Sequence, residues 1–387
     1  MKAVKLISGL CLAGWAVLSA RAAAPVATPQ TVVLEYQELS YPLVNSGWSF
    51  SEKASFTKEP AFGKGTVVRS QLRLAGDFNN TFAFAWEKSQ ARLHIDFNRN
   101  GDLTDDADNV FTSGLKGGFQ NFTNVPLTVK TPEGGRRILA DLNLNSFNQF
   151  ATYGTVSLRS WWQGKMAMAG REWQVGVVED LLGPRVSSPA AFLVLRPWEQ
   201  RSAPLTLASG TADAVKFPKK LFWLDQGFEL SRRFEVRDGV GKWLVDFTPT
   251  EATLGELNVT GMFLNRLVLE TGNGFTVVLD SPKTTVKLPT GHYKLSEVWL
   301  KNAAAEAVST AERTVTIASN KPFALVTGGP LTNSVTASRR GKQLVLDYKL
   351  LGVDGPYRMK IVDRSEPPTV AISHGGRQVA SGKFAFG

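Results

Sequence analysis

The feature that most constrains this fold is an alternation of apolar and polar residues with period two. TVVRSQLRL (66–74), RRILADLNL (136–144), FTVVLD (275–280), KQLVLDYKL (342–350) and YRMKIV (357–362) all carry it, or run apolar over a short stretch. Successive side chains of an extended strand point to opposite faces, so this period makes one face of a strand apolar. A helix would need a period of about 3.6. Gly, Pro, Asn and Asp bound these segments roughly every eight to twelve residues, the spacing of sandwiches and barrels. The pattern predicts an all-β chain of two or three β-sandwich-like domains. One stretch departs from it: KNAAAEAVSTAER (301–313) is Ala-rich and reads either as a helix or as a long hairpin tip.

The first 22 residues stand apart. Lys2 and Lys5 form a basic start, Leu6 to Leu18 an apolar stretch, and Ala20-Arg21-Ala22 a small-residue cleavage pattern. That order is a signal peptide's, and the apolar stretch is short for a membrane span. The expected location is therefore the periplasm, the cell surface or the medium. Cys11, the only cysteine, would leave with this segment. The remaining chain would then have no disulfide and no thiolate, and would be held by packed cores. The alternation lapses over 197–218 and, more weakly, over 316–331. The expected organisation is a signal peptide (1–22), an N-terminal β domain (23–205), a middle sandwich (206–318) and a short C-terminal β domain (319–387). No later apolar run is long enough to cross a bilayer.

Two local motifs refine the fold. LPTGHYKL (288–295) resembles the L-P-x-G-x-Y-x-L closing hairpin of transthyretin-like and immunoglobulin-like sandwiches in exported bacterial proteins. The resemblance implies a Pro/Gly turn and a Tyr packed at the start of the next strand. It covers eight residues and speaks to fold, not function. Near the C-terminus, Gly375-Gly376 predicts a second hairpin.

The strongest chemical signal is HIDFNRNGDLTDDAD (94–108). Asp96, Asn98, Asn100, Asp102, Asp105, Asp106 and Asp108 crowd one turn around Gly101, between strand-like segments ARLHIDF and VFTSGL. Asp96, Asn98, Asn100 and Gly101 resemble the opening of an EF-hand calcium loop, D-x-[DN]-x-[DN]-G, grafted here onto a β-hairpin. The resemblance implies side-chain oxygens from the first three, a main-chain carbonyl from Asp102, and Leu103 packed inward. Position twelve, usually a bidentate carboxylate, is Ala107, so Asp105, Asp106 or Asp108 would have to close the shell. Calcium takes six to eight oxygens at about 2.3–2.6 Å, and a divalent ion would relieve the repulsion among five aspartates. The other reading is an Asn/Asp-rich turn that spends its oxygens on its own backbone.

Catalytic signals are sparse. His94, His292 and His374 fall in separate segments, and no H-E-x-x-H, G-x-S-x-G, Walker or Rossmann pattern occurs. Alternation puts His94 on the same face as Asp96, and puts the neighbours Glu179 and Asp180 on opposite faces. The formal charge is +10, which suits anionic surface polymers or lipid headgroups. The basic doublets Arg136-Arg137, Lys219-Lys220, Arg232-Arg233 and Arg339-Arg340 lack any nucleic-acid recognition pattern and read as solvated strand faces. The expectation is an exported, non-catalytic multidomain β protein with a structural calcium loop. The alternatives are a polysaccharide binder, with Trp161 or Trp162 as a stacking platform, and a glycan-active hydrolase.

Overall fold

The structure, a computed structural model, describes residues 28–384 except 50–52, 75–79, 107, 116, 132–133, 149–150, 181–189, 206, 208–210, 238–239, 304 and 361–366. The expected signal peptide lies outside the described residues. Among those described there is no α-helix; one 3-10 turn, Trp198–Gln200, interrupts a succession of strands. The all-β expectation holds, and no helix among the described residues is long and apolar enough to cross a membrane.

The Ala-rich stretch 301–313 is not helical. Strand Gly291–Lys301 ends in a turn where Asn302 and Ala305 exchange hydrogen bonds, and the chain returns as the antiparallel strand Glu306–Ser309. A helix this short is marginal on its own, whereas pairing here buries Ala307 and Val308.

The first unit is a sandwich of two four-stranded antiparallel sheets. One is a meander of Val67–Arg73, Thr81–Glu87, Arg92–Ile95 and Val110–Thr112. The other runs in the order Val44–Ser49, Ala151–Leu158, Gly134–Asn148, Phe119–Thr131. Their inward positions meet in one core, with Phe82, Phe84 and Trp86 facing Phe122, Leu142 and Leu144. Trp86 is fully buried and donates its indole N–H to Gln120 Oε1 at 2.6 Å, so its one polar atom is satisfied.

A sheet of sixteen strands forms the rest of the frame. Its first strand, Gln30–Glu38, pairs on one side with Ser160–Met168 and on the other with Val240–Thr250. The sheet rolls until distant strands share a core: Val32, Trp162, Trp173, Leu193, Trp223 and Phe247 belong to one cluster. Arg266, on strand Leu264–Glu270, reaches the carbonyl of Leu195 on strand Ala190–Pro197 at 3.1 Å. Beyond this roll, the sheet Thr285–Pro289, Leu254–Thr260, Phe323–Val326 covers the long sheet's continuation and encloses Leu257, Leu269, Tyr293 and Leu325. Strand pairing runs across the boundaries placed near 205 and 318. Ala190–Pro197 pairs with Ala214–Lys216, and Leu254–Thr260 pairs with Phe323–Val326.

LPTGHYKL spans a corner between the two sheets of this second sandwich. Leu288 and Pro289 end a strand paired with Leu254–Thr260, while Gly291–Lys301 pairs in the long sheet, so the two are not hairpin partners. Tyr293 is buried at the start of its strand and donates to the carbonyl of Pro289 at 2.7 Å. Burial pushes its phenol up to about 12. The expected Gly375-Gly376 turn joins strands Thr369–His374 and Arg377–Lys383, and both glycines have positive φ (56° and 80°).

Candidate metal centre

The acidic turn follows directly from strand Arg92–Ile95. Leu93 and Ile95 enter the sandwich core, which leaves His94 and Asp96 for the opposite face. That face is covered by the preceding segment: Phe62 meets the His94 ring edge-on at 5.3 Å. His94 is buried, its ring nitrogens lack hydrogen-bond partners, and the nearest carboxylate oxygen, on Glu87, is 3.8 Å away. Burial lowers its pKa, opposed in part by Glu87. It is not among the groups that bond the oxygens of the turn.

Asp96 organises the loop. Only 3% exposed, it accepts the backbone N–H groups of Arg99 (2.6 Å), Asn100 (3.2 Å) and Gly101 (3.0 Å). The alternate positions then repeat one local bond. Asn98 Oδ1 accepts from Asn100 N, Asn100 Oδ1 from Asp102 N, and Asp102 Oδ1 from both the amide and the hydroxyl of Thr104. These Thr104 bonds, with a smaller contribution from Lys58, hold the Asp102 carboxyl below its ordinary value. Gly101 has φ +83°, which a Cβ would strain, and its carbonyl is held by Thr57 N at 2.8 Å. Leu103 is buried as expected, and its amide donates to Lys58 O at 3.1 Å.

The three candidates for a closing carboxylate separate clearly. Asp105 faces the two asparagines, accepting Asn98 Nδ2 at 3.1 Å and Asn100 Nδ2 at 2.6 Å. Asp106 turns back on the strand and accepts the amides of Phe97 and Asn98, both at 3.1 Å. Burial, with the charges of Asp96 and Asp105 behind it, raises the Asp106 pKa against the pull of those amides. Asp108 is exposed, at φ +54°. Among the described residues, no three His, Cys, Asp or Glu side chains form a metal-holding group. A shell here would have to combine one or two carboxylates with Asn amide oxygens and a main-chain carbonyl, a donor set that suits calcium better than a transition metal.

The stacking platform expected at Trp161 or Trp162 is inside the protein. The two indoles do point to opposite faces, but both faces are covered. Trp161 (3% exposed) packs with Leu43 and Leu205, and Trp162 (6%) lies edge-on to Tyr36 and Phe234. Rolling the sheet encloses Trp162, while Leu43 and Leu205 cover Trp161 on the outer face.

Two basic doublets are divided by the same alternation. Arg137 and Arg233 lie on the outer side, while Arg136 is buried and bonds Glu179 Oε1 at 2.5 Å. The guanidinium groups of Arg136 and Arg232 stand 5.1 and 5.3 Å from the Trp243 ring. The signal was present: Arg136 precedes Ile138 and Ala140 on one face, and Arg232 sits between Leu230 and Phe234.

No protein-family model matches the chain, and neither a curated protein nor a solved structure gives a significant match.

Proposed function

We propose that this is an exported, non-catalytic multidomain β protein acting at or near the cell surface, whose 96–108 turn holds a structural calcium ion. The observation that supports the ion is the placing of Asp105 against the side chains of Asn98 and Asn100, on a loop already set by Asp96. The amide N–H groups do weakly what a divalent cation would do strongly: they offset the Asp105 charge. Exchanging them for amide oxygens around an ion would turn the Asn98 and Asn100 side chains at the expense of the bonds their oxygens accept from Asn100 N and Asp102 N, while Asp96 and Gly101 keep the backbone in place. Export rests on the basic, apolar and small-residue order of residues 1–22.

The test is calorimetric titration of metal-stripped protein, with melting temperature followed in parallel. Calcium at a hundredfold excess over its dissociation constant should stabilise the fold by about 2.7 kcal/mol. Asp105→Ala should abolish the calcium-dependent rise in melting temperature, and Asp108→Ala should leave it in place. No heat and no melting shift at millimolar calcium would mean that the turn is complete without an ion.

A further inference from the structure

The long sheet ends in a ribbon that leaves the core. Among the described residues strand Thr332–Arg340 pairs only with Gln343–Gly352, and from Val335 to Leu344 every residue is exposed. Register partners across an antiparallel pair share a face. Val335 with Tyr348, Ala337 with Leu346, and Arg339 with Leu344 therefore line one side. The next pair inward is Asn333 with Leu350, and Leu350 is part of the second sandwich's core. The apolar face thus continues outward after its covering sheet has stopped. Val335 is 47% and Leu344 55% exposed. Tyr348 meets Phe384 at 5.3 Å, which covers the base of the face and not its tip.

The opposite face is mostly polar: Thr336, Ser338, Arg340, Gln343 and Asp347 lie there, with Asp347 paired to Lys349, beside the half-buried Val345. Charge gathers at the turn. Arg339, Arg340 and Lys342 surround Gly341, the Arg339 side chain donating to the Gly341 carbonyl at 3.1 Å, and residues 332–346 contain no acid. A ribbon with one uncovered apolar face and a cationic tip carries both halves of the affinity that holds a protein on an anionic bilayer. Burial of apolar side chains at the headgroup boundary supplies one, and attraction to negative lipid the other. A soluble polyanion would use the cations and leave Val335 and Leu344 in water.

We infer that the 332–352 ribbon docks on an anionic lipid surface, with Leu344 and Val335 entering the headgroup region and Arg339, Arg340 and Lys342 contacting lipid phosphates. This names the partner of the surface location proposed above, but its test is independent of the calcium turn.

The experiment is co-sedimentation of the chain lacking residues 1–22 with vesicles, in a chelator. One set contains phosphatidylglycerol and phosphatidylcholine, the other phosphatidylcholine alone. Binding should require the anionic lipid and weaken with salt. Replacing Arg339, Arg340 and Lys342 together by Gln should weaken it about a hundredfold, from roughly 1 kcal/mol per basic residue. Val335→Ser with Leu344→Ser should weaken it at every salt concentration. Because all five side chains are on the surface, the melting temperature should not change. Three results would overturn the inference. They are equal binding to neutral vesicles or to none, binding indifferent to the two Ser substitutions and fully displaced by dextran sulfate, and a dimer that those substitutions dissociate while vesicle binding is absent.

Discussion

Arg136 leaves the first sandwich and meets Glu179 on the inward face of the rolled sheet, with both side chains buried. Removing one partner of such a pair strands the other's charge away from water. Glu179→Ala should therefore cost about 3–5 kcal/mol, read as a lowered midpoint in urea unfolding. Glu297 behaves in the opposite sense. Burial raises its pKa from 4.5, with the Trp299 indole N–H at 2.7 Å pulling the other way. As pH rises through 4.5 the unfolded chain loses this proton first, so the group's contribution to stability declines from there until the folded carboxyl has also ionised. Glu297→Gln keeps an acceptor for Trp299 and should remove that decline, measured by thermal unfolding from pH 3 to 7. At this scale the sequence was informative where the backbone decides the answer. Asp96, Asn98, Asn100 and Gly101 stand at the alternate positions that Asx bonds and a positive φ require. It was silent on which carboxylate faces the asparagines, because Asp105 is placed by the return of the chain and not by loop numbering.

Individual strands were legible from alternation, since each has to turn one apolar side inward; their partners were not. LPTGHYKL shows the difference. Its Pro, Gly and Tyr mark a sharp change of direction, and Tyr293 packs where expected, but whether the flanking strands pair with each other depends on Leu254–Thr260 and Leu264–Glu270, far away in the chain. A Tyr293→Phe substitution keeps the ring and loses the bond to Pro289 O. It should cost about 1 kcal/mol, measurable by chemical denaturation. The stretch 301–313 taught the same lesson, because its Ala content reports helix propensity while its neighbours supply a strand partner. Trp161 and Trp162 could not be placed from sequence either: alternation separates two faces but does not say that both will be covered.

The whole molecule hangs on its earliest described strand. Gln30–Glu38 lies inside the sixteen-strand sheet, hydrogen-bonded on both sides, so removal of residues through Glu38 should leave Ser160–Met168 and Val240–Thr250 with unpaired edges. A chain starting at Leu39 should aggregate or lose its cooperative melting transition, while one starting at Thr28 should melt like the parent. This placement also sets the order of assembly. Thr31 bonds Asp246, 215 residues later, so this strand has no partner on one side until more than half of the chain has followed. Contacts so distant in sequence are slow to form. If the chain is exported N-terminus first, as proposed, that delay keeps its largest sheet from closing around strand Gln30–Glu38 until the strand has crossed.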